Sequence, residues 1–358
     1  FEANCEVQIL PEGWEEKQPQ LDKARSTITL SLASLVPEAT PEITQPPSCR
    51  EPLEWDDSVK CTVEAPALGG AYTISANIDQ KLIIQPEKTS RFQIFKSKRK
   101  MHILDQARKH VLFPTPSEGN FQNGVILGYE LGKYPTPAKN PKTISAVRKH
   151  PEHFQPPKFF YRVDEQTAQM KISPHFTLGD FDMNYDYLPG EFPQYIALDF
   201  KLVRKLELLL ARMNEAGYSI STFHILAGFR SPNFNSKYKR ANKKFTLTTV
   251  FSQHQFGNGV DMIVDEDQDG VMDDLNGDGK STIADARVIQ KFVDEIDAEA
   301  MADKNDLLGG AGVYYRHDIP DREIQTPYIH IDTRGYLNDI GKPVRWIEDE
   351  KKRMKDEG

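Results

Sequence analysis

The feature that most constrains the fold is a change in sequence pattern between residues 132 and 157. Before it, stretches such as 27–35 and 72–86 are rich in Thr, Ile, Val and Leu with partial alternation, which predicts strands. The stretch itself is rich in Pro and Lys without periodicity, which is typical of a surface connector. Because 358 residues exceed what one core usually accommodates, two domains are expected. The predicted organisation is a β-rich domain over 1–135, a Pro-rich linker over 136–165 and a second domain over 166–350.

The second domain is predicted to mix helices with short strands. Asp199 can cap a helix that runs to about Asn214, and Gly217 stands where its C-cap is expected. The apolar stripe of this helix consists of Leu202, Leu206, Leu209, Leu210 and Met213. A second helix is predicted over 283–296. Short strands are predicted over 222–227, 259–264 and 328–332. This mixture predicts an α+β domain.

Composition argues against two classes of partner. A formal net charge of −8 disfavours a nucleic-acid partner, which normally meets a basic face. No apolar run approaches the roughly 18–20 residues that a membrane-spanning helix needs. The sequence opens at Phe1 without an initiator Met, which suggests either a chosen boundary or a terminus left by signal cleavage. The oligomeric state is not predicted.

The three cysteines are compatible with export. Cys5, Cys49 and Cys61 match no zinc knuckle or ribbon in their spacing. In an oxidising compartment Cys49 and Cys61 would close a short loop and leave one thiol over. The alternative is that all three are ordinary small buried residues.

Three separated segments hold the residues that a hydrolytic metal site needs. These segments are 228–232, 252–261 and 328–332. His254 and Asp261 flank a turn that two glycines permit, and His330 shares a strand face with Asp332. Two imidazoles and one carboxylate are a donor set typical of catalytic zinc, which keeps one coordination position for water. His254, Asp261 and His330 are therefore candidate zinc ligands.

These segments carry a family resemblance. Ser-x-His-x-x-Gly-x-x-x-Asp at 252–261, preceded by Gly-Phe-Arg-Ser and followed by His-x-Asp at 330–332, resembles peptidase family M15. This family contains zinc D-Ala-D-Ala carboxypeptidases and related murein endopeptidases, and the pattern is most similar to its branch with His-Ile-Asp at the third ligand. Supporting matches occur at 172–179, 309–314, 330–335 and 345–346. The resemblance implies a hedgehog/DD-peptidase-like C-terminal domain and says nothing of the first 150 residues.

The resemblance also implies roles for individual residues. His254, Asp261 and His330 would bind zinc. Arg230 would hold a substrate carboxylate or polarise the scissile carbonyl, the alternative being a structural salt bridge. Ser252 either hydrogen-bonds substrate or caps a turn.

One position departs from the family pattern. Several members place a carboxylate three residues before the last ligand to act as general base, and here that residue is Pro327. Asp332 is the nearest alternative, and it either deprotonates water or orients a ligand. His317 and Asp318 are reserve candidates.

An acidic insertion at 265–285 predicts a second kind of metal site. It contains a twelve-residue loop that resembles the EF-hand-like calcium loop of dockerin repeats. The expected ligands are Asp274, Asn276, Asp278, Lys280 through its carbonyl, Thr282 and Asp285. A second set that would bind another ion or share one is Asp265, Asp267, Asp269 and Asp273. The alternative for both sets is a solvated acidic loop.

Together these features predict a zinc-dependent metallopeptidase that hydrolyses peptidoglycan stem peptides. It would be a D,D-carboxypeptidase or an endopeptidase, periplasmic or otherwise exported to the bacterial cell envelope, with Zn²⁺ and Ca²⁺ bound. One alternative is a catalytically inactive wall-binding or structural module, which Pro327 favours. Another is a calcium-dependent adhesive protein, which would rest on the acidic insertion alone.

Overall fold

In a computed structural model, the chain divides into two compact units, Phe1–Phe113 and Pro114–Gly358. The residues that the structure describes are 7–9, 27–34, 43–45, 48–50, 59–62, 70–79, 109–135, 145–182, 193–241, 250–318 and 325–347.

The described residues of the first unit are strands. They are β1 (Val7–Ile9), β2 (Thr27–Ser34), β3 (Ile43–Gln45), β4 (Ser48–Arg50), β5 (Val59–Thr62), β6 (Gly70–Asp79) and β7 (Lys109–Phe113). Antiparallel pairing gives the orders β1-β5-β4 and β3-β2-β6-β7. The longest pairing joins β2 to β6 over the full length of β2. The strand predicted over 27–35 is confirmed, and the one predicted over 72–86 is confirmed as far as Asp79.

The strand register has a consequence for two of the cysteines. Cys49 on β4 lies directly opposite Cys61 on β5. Facing residues of antiparallel strands have Cα atoms about 4.5–5.5 Å apart, which is within the range that a disulfide spans. The register is therefore compatible with the expected Cys49–Cys61 pair, whereas Cys5 lies outside the described residues.

The second unit combines helices and strands, as an α+β domain does. Its helices are α1 (Ser145–Lys149), α2 (Phe200–Glu215), α3 (Pro232–Ala241) and α4 (Ile283–Asp303). Its small strands are β8 (Thr115–Pro116), β9 (Phe121–Gln122), β10 (Val125–Ile126), β11 (Tyr129–Glu130), β12 (Phe159–Val163) and β13 (Gln194–Ile196). Its main sheet consists of β14 (His224–Ala227), β15 (Gly259–Ile263), β16 (Gly310–Asp318), β17 (Gln325–Asp332) and β18 (Val344–Ile347).

The main sheet has the order β14-β15-β17-β16-β18, with only the β16–β18 pair parallel. Helix α4 packs against β16 and β17, and α2 packs against α4. Successive strand residues face opposite sides of a sheet, so Val260 and Ile331 pair on one face while Asp261 and His330 pair on the other. Val260 and Ile331 are completely buried. The sheet thus separates an apolar core from a polar site.

Both main helices begin where the sequence indicates. The Asp199 side chain accepts a hydrogen bond from the Lys201 N–H at the start of α2, and all five residues of the predicted stripe are buried. Helix α4 begins with a capping box between Thr282 and Asp285. It extends seven residues beyond the predicted end at Ile296, because Ala, Glu and Met continue there and Ala300 remains buried.

The predicted linker over 136–165 needs correction. Residues 136–144 lie outside the described part, but α1, a 3₁₀ turn at Pro151–Phe154 and β12 occupy much of the remainder. Scattered apolar side chains in this Pro-rich stretch are buried in the second unit, namely Val147, Phe154, Phe160 and Val163. The unit boundary falls at Phe113–Pro114, well before the predicted one. The Pro-rich composition predicts a free connector because it averages over these few buried residues, which anchor the stretch to the unit.

No helix in the described ranges combines the length and the apolarity required to cross a membrane.

A buried ion pair joins the two main helices to the sheet. Lys205 Nζ on α2 lies 2.6 Å from Asp297 Oδ1 on α4, and both side chains have zero exposure. The Asp297 carboxylate also accepts from the Gly309 N–H at 3.0 Å and from Arg345 Nη2 at 2.5 Å. Lys205 Nζ donates in addition to the Asp332 carbonyl at 3.2 Å, so the pair supports the end of β17.

Removing one partner of this pair should be costly. We expect Asp297→Ala to lower the free energy of unfolding by about 3–5 kcal/mol, because it leaves the Lys205 ammonium buried without its counter-charge. Urea unfolding followed by circular dichroism measures the change. The control is Asp306→Ala, which removes an exposed partner of Arg204 and should cost less than about 1 kcal/mol. Equal losses in the two variants would contradict a structural role for the buried pair.

Candidate metal centre

Local geometry and strand pairing bring the three candidate ligands together. His254 lies in a 3₁₀ turn, Gln253–Phe256, which ends at Gly257 in the left-handed region with φ of 71°. A Cβ on Gly257 would lie only 2.4 Å from the carbonyl group of Ala197, so the turn requires glycine for space as well as conformation. Asp261 on β15 faces His330 on β17 directly in register.

The donor atoms of this group are close enough to share one cation. Asp261 Oδ1 lies 3.2 Å from His254 Nε2 and 2.8 Å from His330 Nδ1. In a tetrahedral site with metal–ligand bonds of 2.0–2.2 Å, donor atoms are about 3.3 Å apart. All three residues are buried, and their arrangement could hold a metal ion.

Each imidazole is oriented by a hydrogen bond at its far nitrogen. His254 Nδ1 lies 2.7 Å from the Gly228 carbonyl oxygen, which can only accept, so Nε2 presents its lone pair to the group. His330 Nε2 lies 3.2 Å from Asp332 Oδ2. Partners of this kind fix the tautomer and the ring orientation of metal-binding histidines.

Asp332 is held in place by an ion pair and several hydrogen bonds. It is completely buried, and its carboxylate accepts hydrogen bonds from the Gly310 N–H at 2.7 Å and from Arg334 Nε at 2.9 Å. A further contact joins Arg334 Nη2 to Asp332 Oδ2. Burial alone would raise the pKa of Asp332, but Arg334 and His330 hold it well below its ordinary value. These contacts suit the orientation of the His330 ring, and the general-base role expected as the alternative stays a prediction.

The second carboxylate oxygen of Asp261 forms a salt bridge with Arg230. Arg230 Nη2 donates to Asp261 Oδ2 at 2.5 Å, while Oδ1 faces the imidazoles. Burial opposes the ionised form of Asp261, yet His254 and Arg230 keep its pKa well below the ordinary value. The salt bridge that was the alternative for Arg230 is present in the structure, and its substrate role stays a prediction.

Ser252 is brought to the same region. It occupies the N-cap position of the 3₁₀ turn and is 8% exposed, but its side chain makes no capping hydrogen bond. The turn-capping alternative is therefore not realised by the hydroxyl. Its contact with substrate stays a prediction.

Two further groups border the centre without having been singled out in the sequence. The Trp346 ring lies 5.3 Å from the His330 ring, and its Nε1 donates to the Tyr314 hydroxyl at 2.7 Å. Gln253 and His330 both lie over Gly259, where an added Cβ would be 3.0 Å from Gln253 Cβ and 3.1 Å from His330 Cε1. Of these two residues, only Trp346 could have been found from the sequence, because the Arg-Trp pair at 345–346 is a minor part of the family pattern.

The acidic insertion forms two loops with the same backbone hydrogen-bond pattern. Asp265 accepts from the N–H groups four and five residues later, and Asp274 does the same at the corresponding positions. Carboxylate oxygens of Asp265, Asp267 and Asp269 lie within 4.8 Å of one another, whereas Asp273 accepts from the Glu266 N–H.

The loop that the sequence favoured is arranged differently at its end. Gly277 and Gly279 have φ of 76° and 80°, and the Asn276 and Asp278 side chains accept backbone N–H groups within the loop. Asp285 is completely buried and accepts from the backbone N–H groups of Leu275, Asn276 and Thr282. Lys280 is exposed, and Thr282 caps α4. In this structure Asp285 therefore closes the loop and caps the helix.

Comparison with family models, curated proteins and solved structures found no match for the chain. The resemblance to family M15 accordingly rests on the motifs in the sequence.

The charges of the centre predict how metal binding depends on pH. Burial alone would lower the pKa of His330, but hydrogen bonds to Asp261 and Asp332 raise it above 6.5. His254 has its pKa lowered to about 4 by burial and by Arg230, so it is neutral near pH 7. A metal ion must displace the proton of His330, and its affinity should rise with pH until that raised pKa is passed.

Calorimetric titration with Zn²⁺ in two buffers of different ionisation enthalpy measures the proton release. We expect zinc binding to release protons, because hydrogen bonds to carboxylates at both His330 nitrogens favour the protonated ring, which the ion must deprotonate. Affinity that does not change between slightly acidic and alkaline pH would contradict this assignment.

Proposed function

We propose that the chain is a zinc-dependent metallopeptidase of the M15 type that cleaves peptide bonds in peptidoglycan stem peptides. The observation that carries the proposal is the buried convergence of His254, Asp261 and His330, with donor atoms 3.2 and 2.8 Å apart. These are the residues that the family pattern marks as ligands. The second unit would then have a hedgehog/DD-peptidase-like fold.

The donor set favours zinc over calcium or magnesium at this centre. Two imidazole nitrogens and one carboxylate oxygen suit zinc, whereas calcium and magnesium prefer all-oxygen sites. Zinc bound by three protein ligands supplies Lewis-acid activation of water and of a carbonyl near neutral pH. The chain contributes a buried setting in which charges interact strongly.

The protein groups around the centre would divide the remaining work. Asp332 would act as a positioning residue that keeps the His330 ring in place. Arg230 would bind a substrate carboxylate or the scissile carbonyl oxygen, since a guanidinium matches planar oxygen pairs. Ser252 would hydrogen-bond the substrate. The proton acceptor is then sought in His317 and Asp318, whose side chains lie outside the described residues.

A catalytically inactive wall-binding module is the second candidate. The observation that favours it is Pro327, a buried residue at the position where several family members have their general base. Either function would place the protein in the bacterial cell envelope. The first unit would hold the protein to the wall or to a partner.

An assay with defined muropeptides distinguishes these functions. The zinc-loaded full chain should release a terminal D-amino acid from stem peptides or split cross-linked dimers, and the chelated protein should do neither. Mass spectrometry of the products measures both reactions. If the zinc-loaded protein releases no product while still sedimenting with peptidoglycan, the inactive module is the correct interpretation.

Arg230 provides a sharper test within the active protein. Arg230→Lys should lower kcat/KM by about 10²-fold, the usual scale for losing one donor to a developing oxyanion, because lysine keeps the charge but not the fork. Arg204→Lys, at an exposed position distant in sequence from the centre, is the matched control and should leave kcat/KM unchanged. Equal activities of the two variants would remove Arg230 from the mechanism.

We also propose that the acidic insertion binds calcium. Support comes from the clustered oxygens of Asp265, Asp267 and Asp269, whose mutual repulsion a cation would relieve. A bound ion would fix the segment between β15 and α4, and so stabilise the strand that carries Asp261.

Calcium should therefore raise the melting temperature of the zinc-loaded protein. At about one hundred times the dissociation constant, the expected increase is about 5–10 °C. Differential scanning calorimetry with and without Ca²⁺ measures it. Asp267→Asn/Asp269→Asn should abolish the increase, whereas Asp303→Asn at the end of α4 should preserve it. An unchanged melt on calcium addition to the unsubstituted chain would refute the proposal.

A further inference from the structure

A second group of metal-ligating side chains lies outside the centre described above. His150, Glu152 and His153 fall within four consecutive residues around the 3₁₀ turn Pro151–Phe154. Glu152 Oε1 is 3.7 Å from His150 Nδ1 and 3.6 Å from His153 Nε2. One donor atom from each of the three residues lies within 4.8 Å of the others. The group shares no residue with His254, Asp261 and His330.

Both imidazoles are held in place by packing. The His150 ring stacks on the Tyr336 ring with centroids 4.8 Å apart and an interplanar angle of 10°. The His153 ring contacts Tyr336 and covers Gly335, where an added Cβ would lie 2.9 Å from His153 Cε1. Rings that are already ordered lose little conformational entropy when they bind an ion.

The turn itself is anchored to the second unit. Phe154 is 1% exposed and contacts Phe251 and Phe256 edge to face, with centroids 5.7 and 5.8 Å apart. The two histidine side chains remain about one third exposed, and that of Glu152 is 62% exposed. The three donors therefore stand on a fixed backbone at a surface that ions can reach.

We propose that His150, Glu152 and His153 form a second binding site for a divalent transition-metal ion of the zinc class. Donor atoms around such an ion are about 3.3–3.6 Å apart in tetrahedral geometry, so Glu152 Oε1 is already near its distance from each ring, and the two imidazole donors, within 4.8 Å of each other, would move closer on binding. Two nitrogen donors disfavour calcium and magnesium. The remaining coordination positions face water.

This outer site should be distinguishable from the buried centre by affinity. Its two histidines are about one third exposed, and among the described residues no hydrogen bond orients the far nitrogen of either imidazole. Partners of that kind typically change metal affinity by about 10–100-fold. The outer ion should therefore bind more weakly than the ion at His254, Asp261 and His330.

Equilibrium dialysis of the full chain against Zn²⁺, followed by elemental analysis, tests the site. An excess of Ca²⁺ keeps zinc from the acidic insertion. We expect two zinc ions per unsubstituted chain, and one ion, the tighter, per chain of His150→Ala/His153→Ala. The matched control is His175→Ala, which removes an exposed histidine that contacts a single carboxylate, Glu207. It should retain both ions.

A milder variant protects the test against a folding defect. Glu152→Gln changes an exposed side chain and should weaken binding of the looser ion by at least about tenfold. Losing a partner that only orients a metal ligand already costs about that much affinity. Identical stoichiometry and affinity in the unsubstituted chain and in His150→Ala/His153→Ala would overturn the proposal. If His254→Ala/His330→Ala still binds one ion that His150→Ala/His153→Ala lacks, the outer site stands whatever the fate of the buried centre.

Discussion

The register of β15 against β17 is the interaction on which both the core and the candidate centre depend. Asp261 faces His330, and the next pair along the strands, Val260 and Ile331, points into the core. A shift of one residue would exchange the two faces, burying a carboxylate among apolar side chains and exposing isoleucine and valine at the site. The burial of this apolar face therefore fixes the geometry of the ligands as well as the stability of the unit.

Each carboxylate that is buried at this sheet is paired with at least one cationic side chain. Asp261 is neutralised by Arg230, Asp332 by Arg334, and Asp297 by Lys205 and Arg345. Each carboxylate alone would be expensive to bury, and each also accepts a hydrogen bond from a neighbouring group. The Lys205 ammonium connects two of these pairs, because it reaches both the Asp297 carboxylate and the Asp332 carbonyl. Helices α2 and α4 thus support the end of β17, and with it His330, through Lys205 and Asp332.

The sequence was informative where the chemistry is local or the spacing is repetitive. The stripe of α2 and the alternation in β15 and β17 predicted which side chains are buried, and the donor types of His254, Asp261 and His330 predicted a common site. The function of Asp332 could not be predicted in the same way. Its contacts come from Gly310 on a neighbouring strand and from the Arg334 side chain folding back, and neither follows from strand alternation.

Composition misled where a few residues outweigh the average. The stretch before residue 165 is rich in Pro, yet Phe154 and Phe160 bury it in the second unit and leave His150 and His153 ordered at its surface. In the acidic insertion, spacing favoured the loop that ends at Asp285. Capping of α4 engages that carboxylate, while carboxylate oxygens of Asp265, Asp267 and Asp269 cluster in the other loop. The spacing of possible ligands in the sequence does not show that helix capping and ion binding compete for the same carboxylate.

Pro327 and Asp332 are the two residues of β17 that bear on which group could accept a proton at the centre. Pro327 lies where the register between β16 and β17 shifts, between the pairs Tyr314–Tyr328 and His317–Thr326, so its missing N–H costs no ladder hydrogen bond. The same irregularity gives β16 one residue more than β17 between these two pairs. Asp332, paired with Arg334 and hydrogen-bonded to His330, is placed to position that ring. His317 and Asp318, whose side chains lie outside the described residues, stay the proposed proton acceptors.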